Sequence, residues 1–171
     1  DDVSISAITG TFADEHVDTN IAVSFSDITY AGADKDNYTI TNQAGTTADI
    51  TQKDLTVSGI TVSDKTYDST TSATVSVTGI SYSGLVDGDN FSVTATGVFD
   101  NEHVGTQTVT LTETPLGTDV ENYNITYQAS SSADITARAI TISGITASDK
   151  VYDSTTTATL DVDSIAGFIA G

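Results

Sequence analysis

The sequence predicts an all-β chain of tandem small β-sandwich repeats, each of about 85 residues and immunoglobulin-like or Greek-key in connection, with little or no helix. Three observations predict this fold class. Short runs alternate apolar and polar residues, a long stretch of sequence recurs at a fixed offset, and Thr, Val and Ile are abundant. β-Branched residues suit a pleated, half-buried surface, and no window carries a sustained helical period with capping residues.

The internal repeat organises the chain. Residues 55–70 and 140–155 agree at 12 of 16 positions at an offset of 85, and Ala-Asp-Ile-Thr recurs at 48–51 and 133–136. FADEHV at 12–17 matches FDNEHV at 99–104, at an offset of 87. This periodicity divides the chain into three segments: the end of one repeat (1–58), a complete repeat (59–143) and the beginning of the next (144–171).

The two chain ends complement each other in sequence. Residues 151–171 align with 66–86, and residues 1–5 resemble the stretch that follows 86, so joining Gly171 to Asp1 would regenerate nearly a whole repeat. Two explanations follow. Either a longer array is cut at an arbitrary point, or the terminal pieces complement each other between molecules.

Strand predictions rest on alternation along the chain. The alternating runs, in order, lie at 21–25, 73–77, 91–96, 108–112 and 123–127. The parity of alternation changes between Ala139 and Ile140, which indicates a bulge or a crossing into a new sheet. Gly59 and Gly144 interrupt their strands at equivalent positions. About seven short strands per repeat favour a sandwich, whereas the alternative, a β-grasp-like fold, needs a helix.

Charge and composition exclude several functions. A formal net charge of −19 disfavours nucleic acid and anionic membranes as partners, because both are polyanions. The absence of cysteine excludes disulfides, thiolate metal sites and a cysteine nucleophile. The sequence contains no run of about 18 apolar residues, so direct membrane insertion is not expected.

Two short motifs carry a family resemblance. Lys65-Thr66-Tyr67-Asp68-Ser69-Thr70 and Lys150-Val151-Tyr152-Asp153-Ser154-Thr155 resemble the signature of bacterial YDG repeat domains, in which a Lys-x-Tyr-Asp-Gly-Thr-Thr run opens each repeat. The segments Phe12-Ala13-Asp14, Gly32-Ala33-Asp34, Asn37-Tyr38-Thr39 and Ala48-Asp49-Ile50-Thr51 are similar to the family's later landmarks. Serine replaces the motif glycine at positions 69 and 154. Serine disfavours the positive φ that glycine permits, although Asp68 and Asp153 support an Asx turn.

The resemblance implies a tandem extracellular repeat of large bacterial surface proteins, often haemagglutinin-like adhesins. It implies a location on the cell surface or in a secreted filament, with neighbouring repeats of the same chain or filament as partners. On this interpretation the Tyr-Asp pairs are structural: the Tyr fills a groove and the Asp holds the following turn. The residues expected to maintain the structure are Tyr67, Asp68, Tyr152, Asp153, Phe12, Phe99, Gly59 and Gly144.

Calcium is the most specific ligand that the acidic residues suggest. Asp87 and Asp89 form one Asp-x-Asp pair at a predicted turn, and Asp34 and Asp36 form another. Hard cations prefer clustered carboxylate and carbonyl oxygens, but acidic turns are also common in solvated hairpins, and neither pair completes an EF-hand loop. Calcium therefore stands as a speculative ligand and no other cofactor is expected. Thermal melts with calcium and with chelator would test it.

A catalytic role is not expected. His16 and His103 occupy equivalent positions, and one histidine per repeat does not make a zinc site by itself. Nothing in the sequence resembles a nucleophile elbow. The leading expectation is a non-catalytic segment of an extracellular adhesin stalk or surface filament. Two alternatives stay open: an adhesive module that binds a glycan or host protein, and a filament subunit that self-associates through edge strands, by strand complementation between chains.

Overall fold

A computed structural model describes residues 1–169 of the chain, and its regular structure there is all-β apart from two single 3₁₀ turns. The prediction of an all-β chain with little helix is confirmed. The strands are β1 (Ser4–Phe12), β2 (Asp18–Ala31), β3 (Gly45–Ile50), β4 (Lys53–Ser58), β5 (Thr61–Val62), β6 (Lys65–Thr66), β7 (Val75–Ser76), β8 (Ser81–Ser83), β9 (Ser92–Phe99), β10 (Gly105–Leu116), β11 (Tyr123–Thr126), β12 (Ser130–Thr136), β13 (Thr141–Ala147) and β14 (Leu160–Ala166). The 3₁₀ turns are Lys35–Asn37 and Val120–Asn122. No described helix has the length and apolar character needed to cross a bilayer.

Alternation places the apolar residues of the strands on one face. In β10, Val109 and Leu111 are buried while the alternating threonines at 108, 110 and 112 are exposed. In β9, Val93 and Phe99 are buried in the same way. The apolar core residues are Ile21, Leu55, Val57, Ile60, Phe91, Val93, Phe99, Val109, Leu111, Tyr123, Ala133 and Ile135. Burial on one face and solvation on the other is typical of antiparallel sheets.

The chain forms two compact units. The first contains residues 1–57, 82–93 and 115–127. Its antiparallel sheet has the order β1-β2-β3, and a second sheet has the order β11-β4-β8. The pairing of β11 with β4 is parallel and aligns Tyr123 with Lys53 and Ile125 with Leu55.

The second unit contains residues 58–81, 94–114 and the chain from 128 onward. A four-stranded sheet of order β6-β12-β10-β9 contributes most of its strands to this unit. β10 and β12 are antiparallel, and β12 pairs in parallel with β6, aligning Ile135 with Lys65. Two antiparallel pairs, β5 with β7 and β13 with β14, complete the described strands of the unit.

Equivalent hydrogen bonds recur between the sequence copies. The backbone N–H of Asp34 donates to Asp2 O at 3.1 Å, and that of Asp119 donates to Asn90 O at 3.4 Å. The N–H of Asp2 donates to Asp34 Oδ2 at 2.8 Å, and the N–H of Asn90 donates to Asp119 Oδ2 at 2.7 Å. Asp2 therefore occupies in its copy the position that Asn90 occupies in the next.

The change of alternation parity coincides with a change of sheet. β12 ends at Thr136, residues 137–140 form no strand, and β13 begins at Thr141 in a different sheet. The division into 1–58, 59–143 and 144–171 stays a prediction, and its last two residues lie outside the described part of the chain. The sandwich arrangement likewise stays a prediction.

Candidate functional site

The two motif loops fold in the same way. The carboxylate of Asp68 accepts from the backbone N–H of Thr70 at 3.0 Å and from its hydroxyl at 2.9 Å. Asp153 accepts the same pair of bonds from Thr155, at 3.0 and 2.9 Å. These are the expected Asx turns. The Asp of each Tyr-Asp pair thus holds the turn that follows it, and the structural role of the pair stays a prediction.

Serine adopts the glycine conformation of the motif. Ser69 has φ 55° and Ser154 has φ 59°, so both lie in the left-handed region. The expectation that serine would disfavour this geometry was wrong. The Asx turn determines the backbone conformation at this position, and it outweighs the cost of about 1 kcal/mol that a Cβ brings there. The Ser69 hydroxyl also donates to Asp68 O at 2.8 Å.

A lysine completes each motif loop. Lys65 Nζ lies 2.7 Å from Asp68 Oδ1 and donates to Thr70 O at 2.8 Å. It also lies 5.5 Å from the centroid of the Phe99 ring, within the range of a cation–π contact. The Lys65 ammonium holds the pKa of the Asp68 carboxyl well below its usual range, at about 2, and the bonds from Thr70 act in the same direction. Lys150 lowers the pKa of Asp153 in the same manner.

Tyr123 and Asp89 form a bonded pair that the sequence did not reveal. The Tyr123 hydroxyl donates to Asp89 Oδ2 and accepts from the backbone N–H of Val86 at 3.0 Å. Burial, and secondarily the neighbouring Asp89, raises the pKa of Tyr123. The Phe91 ring packs edge-on between Tyr82 and Tyr123, with centroid distances of 5.3 and 6.0 Å. No motif spacing links Asp89 to Tyr123, so only the fold reveals this pair.

The acidic pairs proposed for calcium have other partners. Asp34 accepts from the backbone N–H of Asp2, Asp36 pairs with Lys35 at 2.7 Å, and Asp89 accepts from Tyr123. Asp87 lines a cleft of about 540 Å³ together with Asp89 and Asp119. Among the side chains that the structure describes, those of residues 1–162 and 166–169, no group of three or more His, Asp or Glu residues is arranged to hold a metal ion. Calcium binding therefore stays an untested prediction without a preassembled site.

The two histidines differ in their surroundings. His16 Nδ1 lies 2.6 Å from Asp14 Oδ1, and Asp14 raises the pKa of His16 through this bond. In the next copy Asn101 stands in place of Asp14, and its amide oxygen accepts from the backbone N–H of His103 at 2.9 Å. The His–Asp pair is thus not a shared element of the repeat.

The structure leaves no space for a side chain at Gly59. Gly59 has φ 85°, and a Cβ there would lie 2.4 Å from Gly79 O. Gly144, the equivalent residue, also has a positive φ, of 71°. A positive φ is a conformation that glycine adopts readily, and the structural role of these two glycines stays a prediction.

The clearest functional feature is a contrast in exposure between equivalent side chains. We call residues 53–136 the central repeat, residues 1–51 the leading flank and residues 138–169 the trailing flank. Phe12 is 42% exposed in the leading flank, whereas its counterpart Phe99 is 2% exposed. Tyr38 is 48% exposed and Tyr123 only 4%. The leading flank therefore exposes side chains whose counterparts in the central repeat are buried.

The trailing flank shows the same contrast. Ile140, Ile142 and Ile145 are 50%, 57% and 52% exposed. Their counterparts in the central repeat, Leu55, Val57 and Ile60, are 0%, 1% and 2% exposed. Tyr152 is 89% exposed, whereas Tyr67 is half-buried. The trailing flank therefore also exposes apolar side chains whose counterparts in the central repeat are buried.

Comparison with known proteins supports one relationship. The family model of the YDG domain matches residues 1–48 and 51–132 of the chain. No match was found among curated proteins or among solved structures. The family model covers more than half of the chain, in agreement with the motif loops described above, and the chain therefore belongs to the YDG domain family.

Proposed function

We propose that the chain is a non-catalytic structural segment of an extracellular bacterial adhesin stalk or surface filament. Its role is spatial: consecutive repeats extend a distal binding region away from the cell. In such quasi-one-dimensional arrays each repeat contacts only its neighbours, and stability is shared between repeats and their interfaces.

One observation carries the proposal. Phe12, Tyr38 and Tyr152 are exposed in the flanks, whereas Phe99 and Tyr123 are buried and Tyr67 is half-buried at the equivalent positions of the central repeat. The aromatic residues of the central repeat are therefore engaged in packing rather than presented to a ligand. A glycan-binding face would instead present aromatic side chains from a complete repeat.

The motif residues support the same role. The Asp of each Tyr-Asp pair closes a turn and pairs with a lysine, and the Tyr67 N–H donates to Thr136 O at 2.9 Å. These groups are engaged in holding the backbone. The high negative charge adds a physical benefit, since like-charged rods resist lateral association.

The experiment measures how far the protein extends an epitope from the cell envelope. A protease-accessible epitope is placed before the segment, and residues 53–137, one repeat period, are deleted in frame from the gene of the producing bacterium. The expected result is an epitope that stays surface-exposed but lies closer to the envelope in immunogold images. An epitope that becomes inaccessible on intact cells would contradict an extracellular stalk. A lost glycan or host-protein contact at unchanged distance would favour the binding module.

A further inference from the structure

We propose that the contact between the leading flank and the central repeat is pH-dependent, because His16 lies between carboxylates that the two copies contribute. We call the two loops that meet there, residues 14–17 and 119–122, the repeat joint. Both loops lie within the first compact unit. The inference rests on the proposed structural role in one respect, since it treats the two copies as successive units of one rod.

Hydrogen bonds connect the two copies directly at the repeat joint. The Val17 N–H donates to Asn122 Oδ1 at 3.0 Å. Beside it, the side chain of Gln52, which links β3 to β4, donates from Nε2 to Glu121 O at 3.0 Å. The bonded residues lie 105 and 69 positions apart in the chain. These are therefore tertiary contacts, and the bond between Val17 and Asn122 breaks whenever the two loops separate.

The turn on the side of the central repeat is preorganised for this contact. The Asn122 N–H donates to Asp119 O at 3.1 Å, which closes the 3₁₀ turn. Asp119 Oδ2 accepts from the Asn90 N–H at 2.7 Å, so its other oxygen, Oδ1, is directed to the joint. The Asp119 carboxylate and the Asn122 amide are thus held in place, which lowers the entropic cost of the contact.

His16 lies between the two loops. Its Nδ1 lies 2.6 Å from Asp14 Oδ1 in its own loop, and its backbone N–H donates to the same oxygen at 2.9 Å. Its Nε2 lies 3.8 Å from Asp119 Oδ1 across the joint. The Asp119 side chain is only 18% exposed, so water screens its charge incompletely. A protonated imidazole is therefore a cation between two carboxylates, whereas a neutral imidazole leaves those carboxylates facing each other.

The other charged groups near His16 are mostly acidic. Glu15 is the neighbouring residue of its own loop, and Asp87 and Asp89 of the central repeat line the same cleft of about 540 Å³. Lys53 also lines this cleft and offsets part of the negative charge. The hydroxyl of Tyr123, a further titratable group there, is bonded to Asp89. A proton on His16 thus adds positive charge where carboxylates from both copies converge.

Asp14 and Asp119 have different effects on the joint. Asp14 raises the pKa of His16, mainly through their hydrogen bond, and Glu15 and Asp119 raise it by smaller amounts. Asp14 belongs to the same loop as His16, so it stays beside the imidazole when the joint opens. Asp119 belongs to the other copy and is separated from the imidazole on opening. Asp14 therefore sets the pH range of the titration, and Asp119 couples the titration to the joint.

The direction of the pH effect follows from the raised pKa. A basic group whose pKa is higher in the closed joint than in the open one stabilises the closed joint when it is protonated. This contribution is complete below the ordinary pKa of about 6.5 and is lost as the pH rises through the raised pKa of His16. Since the imidazole is half exposed, we expect the equilibrium to change by about two- to fivefold, the range typical of an exposed ion pair.

The experiment measures hydrogen exchange of the Val17 amide by NMR, because the bond of this amide crosses the joint. The protection factor, which is the intrinsic exchange rate divided by the observed rate, is followed from about pH 5.5 to about pH 8.5. It should fall by about two- to fivefold in the parent chain. Asn122→Ala should reduce it at every pH, because the acceptor is removed. Asn37→Ala, a matched change in the equivalent turn of the leading flank, should leave it unchanged.

Three further variants identify the titrating pair. His16→Gln and Asp119→Asn should each remove the pH dependence, and Asp119→Asn keeps an oxygen that can accept from the Asn90 N–H. His103→Gln changes the equivalent histidine of the central repeat and should keep the pH dependence. Circular dichroism checks that each variant is folded.

Two results would overturn the proposal. One is a Val17 protection factor that is constant with pH in the parent chain, and the other is a pH dependence that persists in His16→Gln. Neither result would affect the stalk role, which the cell-surface experiment tests separately.

Discussion

At the residue scale, the left-handed serines show how one side chain can determine a backbone conformation. Ser69 and Ser154 adopt φ values of 55° and 59° because the preceding aspartate closes an Asx turn over each of them. The free-energy cost of the left-handed conformation at each serine can be measured by substitution.

We expect Ser69→Gly to be more stable than Ser69→Ala by about 1 kcal/mol, because both variants lose the hydroxyl bond to Asp68 O but only alanine keeps the strained Cβ. The measurement is the free energy of unfolding from urea denaturation of both variants. Equal stability of the two variants would show that the φ value does not constrain the residue.

The Asp68 carboxyl gives a pH-dependent prediction. Its pKa is about 2 in the folded chain and rises to its ordinary value when the chain unfolds. A carboxyl with a depressed pKa stabilises the fold above its unfolded pKa, and this contribution is lost as the pH falls from about 4 to about 2. Carbon-detected NMR titration should show Asp68 titrating near 2 in the parent chain. In Lys65→Met the titration should move up towards the ordinary range, and an unchanged midpoint would refute the role of Lys65.

At the element scale, Gly59 shows what a strand junction requires. Gly59 has a φ of 85°, and a Cβ at this residue would lie 2.4 Å from Gly79 O. Both the backbone conformation and the close contact therefore disfavour a side chain here. Gly88 has a similar φ of 99° with nothing within 4 Å of its Cβ position, so it serves as a matched control. We expect Gly59→Ala to cost more than about 2 kcal/mol and Gly88→Ala about 1 kcal/mol, measured by chemical denaturation. Equal losses of unfolding free energy in the two variants would mean that a backbone shift relieves the clash with Gly79 O.

The positions of several strands could be predicted from the sequence. Alternation in 91–96 and 108–112 corresponds to β9 and β10, and the parity change at Ala139 corresponds to the gap before β13. The parallel pairings of β11 with β4 and of β12 with β6 could not be predicted. They join residues about 70 positions apart, and alternation specifies which face of a strand is buried but not which strand lies beside it.

The candidate site was predictable only in part. Phe12 and Phe99 were expected to have the same structural role, but Phe12 is exposed whereas Phe99 is buried. The acidic pairs suggested calcium, whereas Asp34 and Asp89 bond to a backbone amide and a tyrosine hydroxyl. Local sequence indicates the chemistry of a side chain, but its partner comes from distant residues.

At the scale of the whole molecule, the net charge of −19 destabilises the folded chain through repulsion between its own carboxylates. Screening of this repulsion should therefore stabilise the fold. Raising sodium chloride from about 0.02 M to about 0.5 M shortens the screening length several-fold. We expect the free energy of unfolding, measured by urea denaturation, to increase over this range. A free energy of unfolding that decreases with salt would indicate that favourable ion pairs outweigh the repulsion.

The parallel pairing of β11 with β4 and of β12 with β6 has a mechanical consequence. In a stalk under tension, force enters each repeat through its first strands and leaves through its last. Because these strands run in the same direction, the pull acts along them, and their hydrogen bonds bear load in shear and must break together. The antiparallel hairpin of β13 and β14 instead opens one bond at a time when it is pulled apart at its ends. Single-molecule pulling of the chain by its termini should therefore show a high-force event, and unfolding only at low force would contradict shear loading of these strands.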